Sequence, residues 1–293
     1  MKNNTSVSFH DKWKNNPNLA FKETMEEGSE IRKWIVERNG FKSDQDFETY
    51  LSHKKRILDG GCGNGRVTAL LRSLSAANTE IVGIDLVAAD IARDNFKDVP
   101  NTHFFSKNLL SDLTDLGKFD FIYCQEVLHH TDDPFGAFKN LIDLLEENGE
   151  IAIYVYRKKA PLREFSDDLI RNKIAGFDYD KAMAVCDEIT QFAKVVSESG
   201  QKVIVPELKA MEIEAGEYDL QRFIYHFFFK CFWNPAFSFH DNSVINYDWY
   251  HPQNCSRHTI DEILGWFESA GLKVEWQFQD FYGITIRGRK VQK

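Results

Sequence analysis

The sequence predicts an α/β fold, a largely parallel sheet with helices on both faces. Three observations carry that expectation. Between Arg56 and Val155, short apolar runs alternate with helical patterns five times. The first of those runs ends in an acid and opens into a glycine-rich turn. The chain has 293 residues, 43% apolar and 28% charged, enough for one sizeable core with an inserted segment.

Residues 1–55 are polar and read as an N-terminal helical cap. Glu23 to Arg38 sets Met25, Ile31, Trp34 and Ile35 on a helical stripe that Gly40 stops, and a short helix follows from Ser43 to Leu51. Residues 56–155 form the core. Its strands are Arg56 to Asp59, Glu80 to Asp85, His103 to Ser106, Phe119 to Cys124 and Glu150 to Val155. Its helices are Arg66 to Leu74, Val87 to Phe96 and Phe135 to Glu147. Residues 156–252 lose the alternation. Helical stretches at Asp167 to Ile174 and Asp180 to Ser199 precede an aromatic run, as in a cap inserted after strand five. Residues 253–293 resume the rhythm. A helix from His258 to Ala270 has Thr259 as N-cap, Glu262 three residues on and Gly271 as stop. Leu272 to Phe278 and Phe281 to Arg287 then suit a terminal hairpin.

Composition narrows the function classes. A net charge of −9 repels phosphate backbones, so no nucleic-acid partner is expected. Five cysteines at wide spacings without a CxxC pair argue against disulfides and against a zinc or iron–sulfur site; no metal is expected. Met1 to Asn16 lacks an apolar signal region, and no run of eighteen apolar residues occurs, so a cytoplasmic protein without a membrane span is expected.

The chemistry-bearing stretch is Ile57-Leu-Asp-Gly-Gly-Cys-Gly-Asn-Gly-Arg66. Glycines 61, 63 and 65 let the backbone turn sharply and approach a ligand. A dinucleotide fingerprint needs a further glycine where Arg66 stands. Asp59, directly before the loop, would repel a pyrophosphate and attract an ammonium. Asp85, 26 residues beyond Asp59 and at the end of the second strand, can accept both hydroxyls of a ribose.

Asp59, Gly61, Gly63 and Gly65 together resemble the first motif of class I S-adenosylmethionine-dependent methyltransferases, Asp-x-Gly-x-Gly-x-Gly. The Val127-Leu-His-His130 element after strand four resembles their small-molecule subgroup. The resemblance covers Arg56 to Tyr154 and, by pattern, the last thirty-five residues. It implies a Rossmann-like seven-stranded sheet whose last strand is antiparallel, with S-adenosylmethionine as cofactor and a small molecule as methyl acceptor. It also implies residue roles. Asp59, Gly61, Cys62, Gly63 and Gly65 hold the methionine end. Asp85 holds the ribose, Leu86 lies against the adenine, Asn108 and Leu109 take the adenine amine, and Gln125 sits near the sulfonium. Asn108 departs from the family's aspartate, although an amide oxygen still accepts from an amine.

A hydroxyl acceptor needs a base, and His129 and His130 are the candidates; taken singly, each reads more readily as a histidine capping a short helix or bonded to a backbone carbonyl. Tyr154 and Tyr156 either bound the acceptor or pack. Four cations occur in the eight residues Tyr156 to Arg163, and Arg157 and Arg163 suit a carboxylate or phosphate unless the loop is simply solvated. Asp248, His251 and Arg257 are candidate contacts at the mouth of the site. Phe223 to Tyr250 holds twelve aromatic residues, which would line a pocket, form a homodimer interface or pack the cap. The reading is methyl transfer to a small molecule at oxygen. Its rivals are a nicotinamide-dependent oxidoreductase, which Arg66 disfavours, and a non-catalytic S-adenosylmethionine-binding partner subunit.

Overall fold

The computed structural model describes residues 4–291; the first three residues of the predicted cap and the last two of the terminal segment lie outside them. In chain order the described elements are α1 (Thr5–Asn15), α2 (Phe21–Met25), α3 (Glu30–Arg38), α4 (Asp44–Leu51), β1 (Arg56–Gly60), α5 (Arg66–Leu74), β2 (Glu80–Asp85), α6 (Ala89–Asn95), β3 (Thr102–Ser106), β4 (Phe119–Gln125), α7 (Pro134–Asp143) and β5 (Leu145–Tyr156). Then come α8 (Pro161–Ile174), α9 (Tyr179–Glu198), β6 (Lys202–Val205), β7 (Gly216–Asp219), α10 (Leu220–Phe227), α11 (Phe239–Tyr250), α12 (Ile260–Ser269), β8 (Leu272–Gln279) and β9 (Gly283–Lys290). The chain divides into two compact units. One holds Trp13–Arg157 and the segment from Ser256 onward; the other holds Lys158–Cys255 with the residues up to Lys12. The expected cap is therefore split within α1.

The first unit is built on a seven-stranded sheet ordered β3-β2-β1-β4-β5-β9-β8. Strands β1 to β5 pair in parallel, and β9 runs antiparallel to both β5 and β8. Continuous apolar strands let both faces be covered. Ile57, Ile81, Phe121 and Ala152 face the α3–α5 side. Leu58, Val82, Ile122 and Ile151 face the other side, with Phe138 of α7 and Phe267 of α12. Each such buried Val, Leu, Ile or Phe contributes about 1.5–3 kcal/mol. The strand order reverses between β1 and β4, the kind of switch point beside whose carboxyl strand ends open α/β sheets bind ligands.

Three local expectations change. The helix expected over Glu23 to Arg38 breaks at Gly28 (φ +77°), and Ser29 caps the new start by accepting the Arg32 amide at 3.1 Å. The helix expected to reach Glu147 stops at Asp143, because Leu145 pairs with Phe119 at the start of β5. The β6/β7 pair was not expected, because its alternating residues are half-buried to exposed and give no two-faced pattern.

The second unit packs α8, α9, α10 and α11 around Asp167. This carboxylate accepts from Arg163 Nε (3.1 Å), the Lys230 amide (2.8 Å), Trp249 Nε1 (2.8 Å) and the Tyr250 hydroxyl (2.8 Å). Tyr225, Phe227, Trp233, Tyr247, Trp249 and Tyr250 of the aromatic run are buried inside this unit. That placement matches packing of the cap, one of the readings the aromatic run allowed.

Candidate active site

The glycine loop fits where β1 meets α5 because three residues adopt positive φ: Gly61 (+84°), Gly63 (+54°) and Gly65 (+87°). Its amides are committed. Those of Gly61 and Cys62 donate to the Ile84 carbonyl at 2.7 and 3.0 Å, and that of Gly63 donates to Asp85 Oδ2 at 3.0 Å. The Gly65 amide donates to the Cys62 carbonyl at 2.9 Å, and the Arg66 amide to Asn64 Oδ1 at 3.2 Å. A loop with these donors in use is a poor seat for a pyrophosphate, which tells against the dinucleotide reading.

Two carboxylates bracket the loop. Asp59 is 3% exposed, and Thr68 Oγ1 donates to its Oδ2 at 2.6 Å. Burial pushes the Asp59 carboxyl up to about 6; the Thr68 hydrogen bond opposes the rise and the Asp85 charge adds to it. A cationic ligand would relieve that desolvated charge. Asp85, half-buried, also accepts the Val87 and Ala88 amides at 2.9 Å each. Leu86 beside it is 49% exposed, an apolar face available to a flat ring. This set fits S-adenosylmethionine: a carboxylate for the amino acid, one for the sugar diol, and bare apolar surface for the base. Asn108 is exposed and its Oδ1 accepts the Leu110 amide at 2.9 Å. The Leu109 side chain packs in the core, and its carbonyl accepts from Asn140 Nδ2 at 2.8 Å.

The ends of β4 and β5 form the neighbouring wall, with Gln125 and Tyr154 paired in register. Gln125 Oε1 accepts the Tyr123 hydroxyl, while its Nε2 is buried without a hydrogen-bond partner. Burial holds the Tyr154 phenol well above its usual range, although Arg38 opposes the shift. The Tyr154 phenol therefore stays protonated at neutral pH. Its ring meets Trp34 edge-on at 5.3 Å, and Arg38 lies over Trp34 at 3.7 Å. His129 and His130 are buried, their rings 4.3 Å apart. His129 Nδ1 accepts the Tyr156 amide at 3.3 Å, and the two rings stack at 3.7 Å. Arg157 donates to the Asp280 carbonyl at 3.2 Å, and Arg257 is half-buried before α12.

The other predicted acceptor contacts belong to the second unit and have partners there. Arg163 is committed to Asp167, and Asp248 pairs with Lys12 Nζ at 2.7 Å. His251 bonds Ser8 Oγ (2.8 Å) and the Phe177 carbonyl (3.0 Å). Each of the three thus has a hydrogen-bonding partner within its own unit.

Several residues escaped the sequence reading. Glu126 holds φ +60° directly after β4 and lies 3.7 Å from Arg66, a strained position of the kind found at working sites. A segment from Trp13 to Met25 covers the loop. Trp13 stands where a Cβ on Gly63 would come within 2.8 Å of its ring. Asn64 Nδ2 donates to the Pro17 and Leu19 carbonyls at 3.0 and 3.1 Å, and Arg66 Nη1 donates to Thr24 Oγ1 at 3.0 Å. The available signal was a lone tryptophan in an otherwise polar N-terminal stretch.

Among the described residues no group of three or more His, Cys, Asp or Glu is placed to hold a metal, and no helix is long and apolar enough to cross a membrane. Residues 36–277 match the family model for a methyltransferase domain. A ubiquinone biosynthesis O-methyltransferase of Glaesserella parasuis is 32% identical over 114 residues, 36% of this chain and 47% of that protein. An uncharacterized protein of Synechococcus is 34% identical over 145 residues, 46% of this chain and 34% of that protein. The chain thus spans less than half the length of these curated relatives. A SAM-dependent methyltransferase from Aquifex aeolicus superposes with a TM-score of 0.50 at 12% identity, covering 96% of this chain and 98% of that one. A chain from the complex of the Haloferax volcanii Trm112 methyltransferase activator with a methyltransferase gives 0.51 at 12% identity, covering 100% of both. The chain belongs to the methyltransferase-domain family and carries the Rossmann-like fold of S-adenosylmethionine-dependent methyltransferases.

Proposed function

We propose that this protein transfers the methyl group of S-adenosylmethionine to an oxygen of a small-molecule acceptor. The observation that carries the reading is the glycine loop with its amides in use and a carboxylate on either side, Asp59 and Asp85. When bound, the cofactor supplies a methyl group already activated on a sulfonium. The protein's part is alignment and exclusion of water, which supplies roughly 7–11 kcal/mol in well-oriented reactions. Gln125 Nε2 and the neutral Tyr154, paired in register at the ends of β4 and β5, are the polar groups assigned to the acceptor side. His129 presents its Nδ1 to the Tyr156 amide, so its neutral form carries the proton on Nε2 and has no lone pair free there to act as a base. Proton removal from a hydroxyl is therefore assigned to His130. The likeness to ubiquinone biosynthesis O-methyltransferases supports oxygen as the acceptor atom.

Titration calorimetry with S-adenosylhomocysteine and with NADH tests the cofactor. Binding of the former alone is expected; binding of NADH alone overturns the reading. Radiolabelled methyl transfer to a panel of phenols, amines and carbon acids tests the acceptor. Label on phenols alone supports oxygen, and no label on any member favours the non-catalytic binding subunit.

A further inference from the structure

The Gln125 amide at the end of β4 is turned one way by a relay that starts on α3. The Ile35 carbonyl can only accept, so the Asn39 amide presents its nitrogen there, at 2.7 Å. The same nitrogen donates to the Tyr123 oxygen, a longer contact at 3.4 Å. Tyr123 then gives its own hydrogen to Gln125 Oε1. Asn39 and Tyr123 are 4% and 2% exposed, so water does not compete for these groups. The relay takes up the oxygen of the Gln125 amide and leaves Nε2 buried without a hydrogen-bond partner.

The groups beside Gln125 are donors too. Tyr154, in register with it on β5, keeps its phenol proton. The Tyr154 ring is held between Trp34, edge-on at 5.3 Å, and Gly283, where a Cβ would come within 2.4 Å of Tyr154 Cζ. Arg38 Nη1 is buried without a hydrogen-bond partner, while the same guanidinium pairs with Asp280 and lies 5.1 Å from the Tyr154 ring. The carboxylates of this neighbourhood are engaged. Asp280 also accepts the Tyr282 and Gly283 amides at 2.7 and 3.0 Å, and Glu126 lies 3.7 Å from Arg66. The two cations thus have counter-charges, and what this side of the site lacks is lone pairs. A buried donor that a ligand leaves unpaired weakens the complex, so a ligand that supplies the lone pair is favoured over an isostere without one.

We infer that Asn39 and Tyr123 are positioning residues that hold Gln125 as a donor, and that Gln125 thereby admits methyl acceptors placing an oxygen lone pair against it and turns away those placing an N–H there. The inference rests on the methyl-transfer reading and adds to it the feature by which the acceptor is chosen. An amide can present either end in the same space, so the direction of the relay, and not the presence of glutamine alone, sets the preference.

Titration calorimetry of the full chain saturated with S-adenosylhomocysteine tests this. The probes are phenols carrying a methoxy, an ethyl or a methylamino group at the ortho or the meta position, so that each trio differs by one atom: oxygen, carbon or nitrogen. At one of the two positions the methoxy probe is expected to bind about tenfold more tightly than its two partners. In Tyr123→Phe the Gln125 amide is free to turn, and that preference is expected to shrink to threefold or less while affinity for S-adenosylhomocysteine stays as in the wild type. Gln125→Glu puts acceptors where the donor stood and is expected to move the preference to the methylamino probe. Circular dichroism confirms that the variants fold, and either variant suffices if the other does not. The inference is overturned if the wild type ranks the three probes equally or binds none, or if a folded Tyr123→Phe and a folded Gln125→Glu both keep the wild-type order. Those outcomes with S-adenosylhomocysteine bound leave the cofactor reading standing; failure to bind S-adenosylhomocysteine removes both.

Discussion

The Asp85 carboxylate accepts the Gly63 amide at 3.0 Å, pinning the loop after β1 to the end of β2. The same carboxylate is the acceptor proposed for the ribose hydroxyls, so the pin and the ligand contact are one group. In Asp85→Asn the charge is lost, and an amide nitrogen facing Gly63 cannot accept. Hydrogen bonds to charged groups contribute about 1.5–3 kcal/mol. Affinity for S-adenosylhomocysteine should therefore fall roughly 10- to 150-fold. Calorimetry reads this directly, and an affinity within twofold of wild type would remove Asp85 from the ligand.

Asp59 makes the pH dependence of the apo protein predictable. Its carboxyl is raised by burial from 3.8 to about 6, so the folded state holds a proton that the unfolded chain has released between those values. The contribution is fully present below pH 4 and is lost as pH rises through 6; it amounts to about 3 kcal/mol. Asp59→Asn should therefore be more stable than wild type at pH 7 and similar at pH 4. A cationic amino-acid tail favours the ionised carboxylate, so wild-type affinity for S-adenosylhomocysteine should climb between pH 5 and 7. In Asp59→Asn the affinity should be low and flat. Urea melts and calorimetry at the two pH values test both halves; a variant that loses stability at pH 7 contradicts the first.

The two halves of this site were unequally legible in the sequence. The loop and its carboxylates announce themselves because backbone conformation selects glycine and because an acid at a strand end has a restricted address. The acceptor side does not, because partners there are distant in sequence. His251 looked like a mouth residue, yet Ser8, 243 positions away, supplies its partner. Arg163 looked like a solvated cation four residues before Asp167; that spacing is visible in the sequence, but the burial of both is a tertiary fact. Leu109 was placed by family pattern, and the burial of its side chain was not visible in the sequence. The apolar strands of the large sheet were readable, whereas helix ends moved, as at Gly28 and Asp143, and the β6/β7 pair gave no signal.

His129 is assigned a donor role by its contact with the Tyr156 amide at 3.3 Å. Removing the ring by His129→Ala leaves that buried amide without its acceptor, a cost of about 1–3 kcal/mol. Turnover should drop through misplacement of the Val127–His130 element, while the acid limb of the pH–rate profile keeps its position. His130→Ala should instead abolish that limb. If the limb disappears in the His129 variant and persists in the His130 variant, the two assignments are exchanged.

Gly61 and Val127 couple the loop to that element sterically. Gly61 has φ +84°, and a Cβ there would lie 2.2 Å from Val127 Cγ2, an impossible contact. Gly61→Ala thus meets two separate penalties. Left-handed backbone costs a non-glycine residue about 1–2 kcal/mol, and overpacking adds about 1–3 kcal/mol. Val127→Ala in the same chain should relieve the second penalty and leave the first. The double variant is then expected to be more stable than the sum of the single changes predicts, with a coupling of about 1–3 kcal/mol. Urea denaturation of the four proteins completes the cycle. Strict additivity would mean that the loop and the Val127–His130 element do not press on each other, and that the histidines are positioned by other contacts, such as the Ser256 amide on the His129 carbonyl at 2.9 Å.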